Sequence, residues 1–436
     1  MFLFVYAKVS FSSQEIYFFY FCGMKLDFVH FTLGNGLRVY VHEDHTVSRV
    51  AINLLYNIGA RDEHPEHTGF AHLFEHLMFG GSQNIPHYDD IAEMIGAENN
   101  AFTDNDMTNY YLITPSNQLE VAFWLESDRM YSLDFSEKSL SVQRNVVCEE
   151  FKQRYLNQPY GDTWLKLRPL VYKKHPYQWA TIGKELSHIE NATLEQVKDF
   201  FYSYYIPANC ILSVAGDCTP EQIRELAEKW FGSIPAGKRP EQNYPKEPEQ
   251  TEKRVQMVHA KVPLPALYIA YPVPERKHAD FYALNLLSDM FTGGKSAYLY
   301  QKLVKEKQLC NSISTYVTGN FDPGMFVFYT YTREGISVEV VENEIQDAII
   351  KYQNGDFEER ELEKVKNQME FYVTHQLTEL FNKAFYLAYY AQLGDANLIN
   401  TELDRYFEVS KADIIRVAQT YLKPQRMNVL QYLPEA

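Results

Sequence analysis

The sequence predicts an α+β fold made of two similar halves. Three observations support this. Short runs with alternating apolar residues are interleaved with longer runs of helical period along the chain. A pattern of helix, tyrosine, proline and strand over Thr193 to Leu212 returns over Ser410 to Val429. Tyr204 and Tyr421 are 217 positions apart, and so are Pro207 and Pro424. Between the copies, residues 235–252 hold four prolines among mixed charges, the composition of a linker or exposed connection. So long a period marks a duplicated domain, not a solenoid. The expected division is a segment 1–23, a first half 24–234, a linker 235–252 and a second half 253–436.

A chain of 436 residues exceeds one ordinary core, and 46% hydrophobic with 22% charged residues is a globular balance. The net charge of −16 argues against nucleic acid or an anionic membrane as the main partner. Five cysteines, with no C-x-x-C pair, argue against a disulfide framework or a cysteine zinc site. Cys210 and Cys218 could pair; buried thiols are the expected state. No stretch reads as transmembrane. Segment 1–23 is aromatic-rich, but Lys8 falls inside its apolar run and Ser12 to Glu15 interrupts it, unlike a signal peptide. Met24 opens a good strand. The expected start is therefore Met24, with residues 1–23 an extension of no structural role. That start implies a cytoplasmic location; a poor signal peptide and a periplasmic one are the alternative.

From Asp27 the elements follow in order. Val29, Phe31 and Leu33 lead to Gly34, Asn35 and Gly36, then Leu37, Val39 and Val41, a hairpin around an Asn-Gly turn. Val50 to Tyr56 is a strand, and Gly59 to Thr68 a polar, flexible loop. A helix carrying His72 and His76 follows, then another over Tyr88 to Ile95. Gly96 to Thr103 enters a strand whose partner is Thr108 to Thr114. Asn117 to Tyr131 is an amphipathic helix with Leu119, Ala122, Phe123, Leu125 and Met130 inward. Ser136 caps a long helix reaching Leu156. Residues 158–190 read as loop-rich and aromatic. Asn191 to Tyr205 is helical, Asn209 to Ala215 a strand and Thr219 to Phe231 a helix. In the second half, Phe281 to Phe291 and Ser296 to Lys307 are helical.

His72, Glu75 and His76 stand at i, i+3 and i+4, so a helix brings them to one face. Two imidazoles and a carboxylate able to take a proton from water suit a hydrolytic zinc site, and the order is H-x-x-E-H, the inverse of H-E-x-x-H. The plainer reading is an amphipathic helix with two satisfied histidines and a surface glutamate. Neither helix read in the second half holds the motif.

A catalytic zinc takes three protein ligands and leaves one position open. With Glu75 kept as base, the third ligand must come from elsewhere, and the helix Ser136 to Leu156 is the best donor. Gln143, Val146, Val147 and Glu150 fall on one stripe; two inward valines would point Glu150 to the interior. Glu149, about 100° away, reads as solvated. A charged helix face remains the ordinary fate of both glutamates. Cys148 is off the stripe, and His64 and His67 sit in a loop that suits solvated histidines.

Taken together, Gly69 to Gly80, Glu98 to Thr103, Arg144 to Glu150 and Tyr204 to Asn209 resemble the M16 (pitrilysin/insulinase) zinc metallopeptidases. The resemblance covers about Phe28 to the C-terminus and is nearest to the group similar to the mitochondrial processing peptidase β subunit. It implies two α+β halves facing each other across a chamber. It implies one Zn2+ per chain on His72, His76 and Glu150, with Glu75 as catalytic base. Asn100, Ala101, Phe102 and Thr103 would form an edge strand that pairs with the backbone of a peptide or unfolded polypeptide substrate.

Two positions depart from the family pattern. Gln143 stands where many relatives have a second glutamate, which implies weaker support of the metal ligand. Val304 and Asn311 stand where active members carry an arginine and a tyrosine that bind the substrate carbonyl; Tyr298 and Tyr300 are out of register. The expectation is a zinc-dependent endopeptidase that acts as the zinc-bearing subunit of a heterodimer, with a homologous partner supplying the Arg/Tyr pair. The alternative is a catalytically silent structural or peptide-binding subunit. A zinc hydrolase for non-peptide substrates has no sequence feature in its favour.

Overall fold

The computed structural model describes residues 5–11, 14–20, 25–238 and 240–435. Strands β1 (Val5–Phe11) and β2 (Gln14–Tyr20) pair with each other, and no other described strand joins them. The expected start at Met24 and the thiol of Cys22 lie outside the described residues.

The first half forms a mixed sheet from β3 (Val29–Thr32), β4 (Arg38–Glu43), β5 (Arg49–Tyr56), β6 (Glu98–Thr103), β7 (Thr108–Pro115) and β8 (Cys210–Gly216). Their order is β3-β4-β8-β5-β7-β6, and the pair β4/β8 is parallel. The second half uses β9 (Arg254–Ala260), β10 (Ala266–Val273), β11 (Cys310–Val317), β12 (Gly324–Thr332) and β13 (Asn428–Pro434). Their order is β11-β12-β10-β13-β9, with β9/β13 parallel. Read from β4 and from β9, the two orders are the same, and the parallel pair falls at the same place. Two similar α+β halves are therefore present. A parallel pair needs a long crossover. The crossover from β4 to β8 contains both the histidine helix (Phe70–Leu77) and the glutamate helix (Glu137–Phe151).

The duplication extends to the helix caps. The Thr193 hydroxyl accepts from Gln196 N and opens the helix Leu194–Tyr204, while Ser410 does the same with Asp413 N for Lys411–Tyr421. Each N3 side chain bonds back, closing a capping box. The sharp Pro207–Asn209 and Pro424–Arg426 turns then lead into β8 and β13.

Each half has its own apolar core, but the halves also exchange helices. Leu380–Leu393, from the second half, lies across β5 and β8 of the first sheet and reaches β4. The Ser213 hydroxyl donates to Ala384 O at 2.7 Å, and the rings of Phe381 and Tyr111 are 3.9 Å apart. In return, Thr163–Val171 packs on β9, β10 and β13. Its Leu167 and Val171 join a cluster with Tyr268, Val327 and Leu430, and Arg254 donates to Leu170 O and Val171 O at 2.9 Å. The two exchanged helices begin at Thr163 and Leu380, again 217 positions apart.

Four local expectations are corrected. Residues 158–190 contain the helix Thr163–Val171, whose interior Pro169 weakens its local signal and whose apolar partners lie in the other half. The stretch Gly59 to Thr68 is not a flexible polar loop, because Arg61 and Glu63 are buried. Arg61 lies between the halves, 2.9 Å from Asp106 and 2.8 Å from Asp322, with the Tyr244 ring 4.9 Å away. The helix Leu119–Tyr131 buries all five expected apolar residues but also Glu126 and Arg129. Arg129 Nε donates to Glu126 at 2.9 Å, and the rings of Phe79, Tyr88 and Tyr110 surround its guanidinium. On the glutamate helix only Val147 of the two valines is buried; Val146 is 45% exposed, and Cys148 lies inward with Leu140 and Phe151.

Cys148, Cys210, Cys218 and Cys310 are buried free thiols. The described residues of 235–252 form no helix or strand but are strapped to the first half: Gln242 and Tyr244 donate to Asp62, and Glu247 accepts from three successive backbone amides starting at Lys173. Among the described residues no helix is long and apolar enough to cross a membrane.

Candidate metal centre

The histidine helix is held at its start by an acid outside it. Glu63 accepts from Gly69 N and from Ala71 N, both at 2.8 Å. These are N–H groups that a helix leaves unpaired; burial pushes the Glu63 carboxyl well up, and its bonds from Gly69 and Ala71 oppose that push. Gly69 has φ +90°, and a Cβ on it would meet Ile182 O at 2.7 Å, so the entry to the helix needs glycine. Sequence reasoning missed Glu63. It stands six residues before Gly69, outside the usual capping spacing, and only the packed loop brings it back.

On this helix the rings of His72 and His76 are 5.0 Å apart and nearly perpendicular. Glu150 arrives from the glutamate helix, which packs against the histidine helix. Glu150 Oε2 is 3.4 Å from His76 Nε2 and Oε1 is 3.7 Å from His72 Nε2. One ligand atom from each of the three residues lies within 4.8 Å of the other two. Ligands at zinc bond lengths of about 2.0–2.1 Å around a tetrahedral centre stand about 3.4 Å apart. Two imidazole nitrogens and a carboxylate whose two oxygens lie 3.4 and 3.7 Å from them are a donor set that fits such an ion.

The electrostatics agree. Burial pushes the His72 imidazole down to about 4, which keeps it neutral with a free lone pair. The His76 contact, helped by His72 and Arg154, outweighs burial and holds the Glu150 carboxyl below its ordinary value. Burial raises Glu75 instead, against the pull of the nearby Thr103 hydroxyl and the His76 ring. A carboxyl tuned upward and close enough to feel the His76 ring and Glu150 is suited to accept and release a proton.

The other residues singled out from sequence fall as follows. β6 ends the strand order, so its outer edge is unpaired among the described residues, and the strand lies beside the histidine helix. Asn100 Oδ1 accepts from Ala101 N at 2.8 Å, and Phe102 meets Phe385 of the exchanged helix at 5.3 Å. Gln143 rests against Gly80, its Nε2 3.4 Å from where a Cβ there would lie, and makes no hydrogen bond to Glu150. Glu149 is solvated and pairs with Lys152. His64 and His67 bridge to each other, away from the three ligands. Val304 packs on the second core, and Asn311 is exposed at a register irregularity that opens β11.

Comparison with known proteins gives the family. Residues 38–161 match the family model for insulinase (peptidase family M16), and residues 191–369 match the peptidase M16 inactive domain. The chain belongs to the M16 family. It is 31% identical over 399 residues to the Helicobacter pylori zinc protease PqqE, covering 90% of this chain and 89% of that protein. It is 23% identical to the Saccharomyces cerevisiae mitochondrial-processing peptidase subunit beta over 77% of this chain and 76% of that one. The crystal structure of a protease from Helicobacter pylori superposes with a TM-score of 0.88 at 30% identity, covering 94% of this chain and all of the other.

Proposed function

We propose that this chain is a zinc-dependent endopeptidase that cleaves short or unfolded polypeptides, with one Zn2+ held by His72, His76 and Glu150. The observation that carries this reading is the meeting of those three side chains, two of them on the helix that also carries Glu75. The relatives named as zinc proteases support it. Zinc in such a site acidifies water and polarises a carbonyl. Glu75 takes the proton that the attacking water loses and delivers it to the leaving amine. The open edge of β6 holds the peptide extended by backbone hydrogen bonds, which reads shape more than sequence. Glu75→Gln should keep zinc, measured by metal content, and lose turnover. A variant with the wild-type rate would show that Glu75 is not the base.

Within this reading the chain is the zinc-bearing member of a heterodimer. Val304 and Asn311 cannot bind a substrate carbonyl as an arginine and a tyrosine would, so a homologous partner supplies that pair. Hydrolysis by the purified chain alone tests this: full activity as a homodimer would refute it. A catalytically silent subunit is the second reading, favoured by the same two positions. It predicts no hydrolysis even with zinc bound and the partner present.

A further inference from the structure

Arg154 stands one hydrogen bond from the candidate metal. Its Nη1 is 2.8 Å from Glu150 Oε1, the oxygen that also faces His72. Arg154 follows Glu150 by four residues, so an ordinary surface pair along a helix, which contributes little, is the simplest account. Three features set this one apart. Its partner is a ligand side chain only 16% exposed, while Arg154 itself is 70% exposed and free to turn. The turn that carries it, Lys152–Leu156, is π-helical, a distortion that concentrates at functional sites. The carboxylate it holds reaches both histidines, Oε1 3.7 Å from His72 Nε2 and Oε2 3.4 Å from His76 Nε2, so what draws on Glu150 bears on the whole ligand group.

A guanidinium in this place opposes a divalent cation, by repulsion and by drawing on the same carboxylate. Peptide hydrolysis, however, builds negative charge on the carbonyl oxygen beside the metal, and a cation within reach of that oxygen lowers the barrier. We propose that Arg154 trades metal affinity for transition-state stabilisation: as negative charge builds on the scissile carbonyl oxygen of the bound peptide, it turns from Glu150 to that oxygen. The inference rests on the peptidase reading and is independent of any pair that a partner adds.

The test uses the full chain, with its partner if one co-purifies, as wild type, Arg154→Ala and Arg154→Lys. Zinc affinity is measured by chelator competition and hydrolysis with β-casein. The expected result is zinc binding about tenfold tighter in Arg154→Ala. Its kcat falls about 100-fold, KM changes little, and Arg154→Lys recovers part of the rate. Weaker or unchanged zinc binding in Arg154→Ala overturns the proposal, weaker binding showing that Arg154 merely positions Glu150. An unchanged kcat overturns it as well. If wild type fails on β-casein with its partner present, the peptidase reading fails, and with it the role assigned to Arg154 on substrate; zinc affinity, measured on the chain alone, still tests the other half of the trade.

Discussion

In the first half, the helix that follows β5 carries His72, Glu75 and His76. In the second half, the helix that follows β10, Asp280–Thr292, carries no histidine and buries Phe281, Leu284, Leu287 and Phe291 instead. The two sheets share strand order, their parallel pair and their capping boxes, so the backbone alone does not make the site. The first helix keeps one face partly open, and polar ligands survive there. The second is covered nearly all round, which leaves no face for an ion. One architecture, used twice, serves chemistry in one copy and packing in the other.

That contrast can be broken most sharply at His76. His76→Ala should turn the first half into a silent copy, with zinc affinity and hydrolysis lower by more than about 100-fold. Urea unfolding in the presence of a chelator should shift by less than about 0.5 kcal/mol. A larger shift would mean that the ligand face also holds the fold.

The next largest effect concerns a feature both halves share, a buried Arg–Glu pair: Arg129 with Glu126, and Arg276 with Glu402. Removing one partner strands a buried charge, at about 3–5 kcal/mol. Arg129→Met and Arg276→Met should each lower stability by that much in denaturant titrations. Because the halves exchange helices, both variants should move one common transition. Separate transitions would show that the halves unfold independently.

Glu63 has a smaller part, found only in the half with the ligands. Glu63→Gln should destabilise by about 1–2 kcal/mol through the weakened cap and weaken zinc binding about tenfold. Unchanged zinc affinity would separate the cap from the site.

The smallest effect tests the exchange itself. Lys383 on the exchanged helix lies 2.7 Å from Asp44 beyond β4. Burial would raise the Asp44 carboxyl, but the bonds to Lys383 and Thr46 outweigh it and hold it well below the usual range. A lowered pKa contributes stability above the unfolded value of about 3.9, and that stability is lost as the pH falls toward the folded value. Lys383→Met should therefore destabilise by about 1 kcal/mol at pH 7 and by progressively less below pH 4. A constant difference across that range would remove the pair from the docking of the two halves.

Much of this protein is legible without coordinates. The 217-residue offset, the hairpin at Gly34 to Gly36, the Thr193 and Ser410 caps and the spacing of His72, Glu75 and His76 are local patterns, set by helix period, strand alternation and turn chemistry. The choice of Glu150 over Glu149 also rested on helix phase, although one of the two valines used to set that phase, Val146, is exposed. What the sequence could not show was decided by contacts between distant residues. Glu63 becomes a helix cap because a loop folds back. Arg61 and Arg129 are buried because Asp106, Asp322 and Glu126 meet them. The helix Thr163–Val171 forms against a sheet that the other half provides. Local pattern tells a residue which face it occupies. Only tertiary packing decides what that face meets, because the free energy of burying a polar group depends on partners far away in the chain.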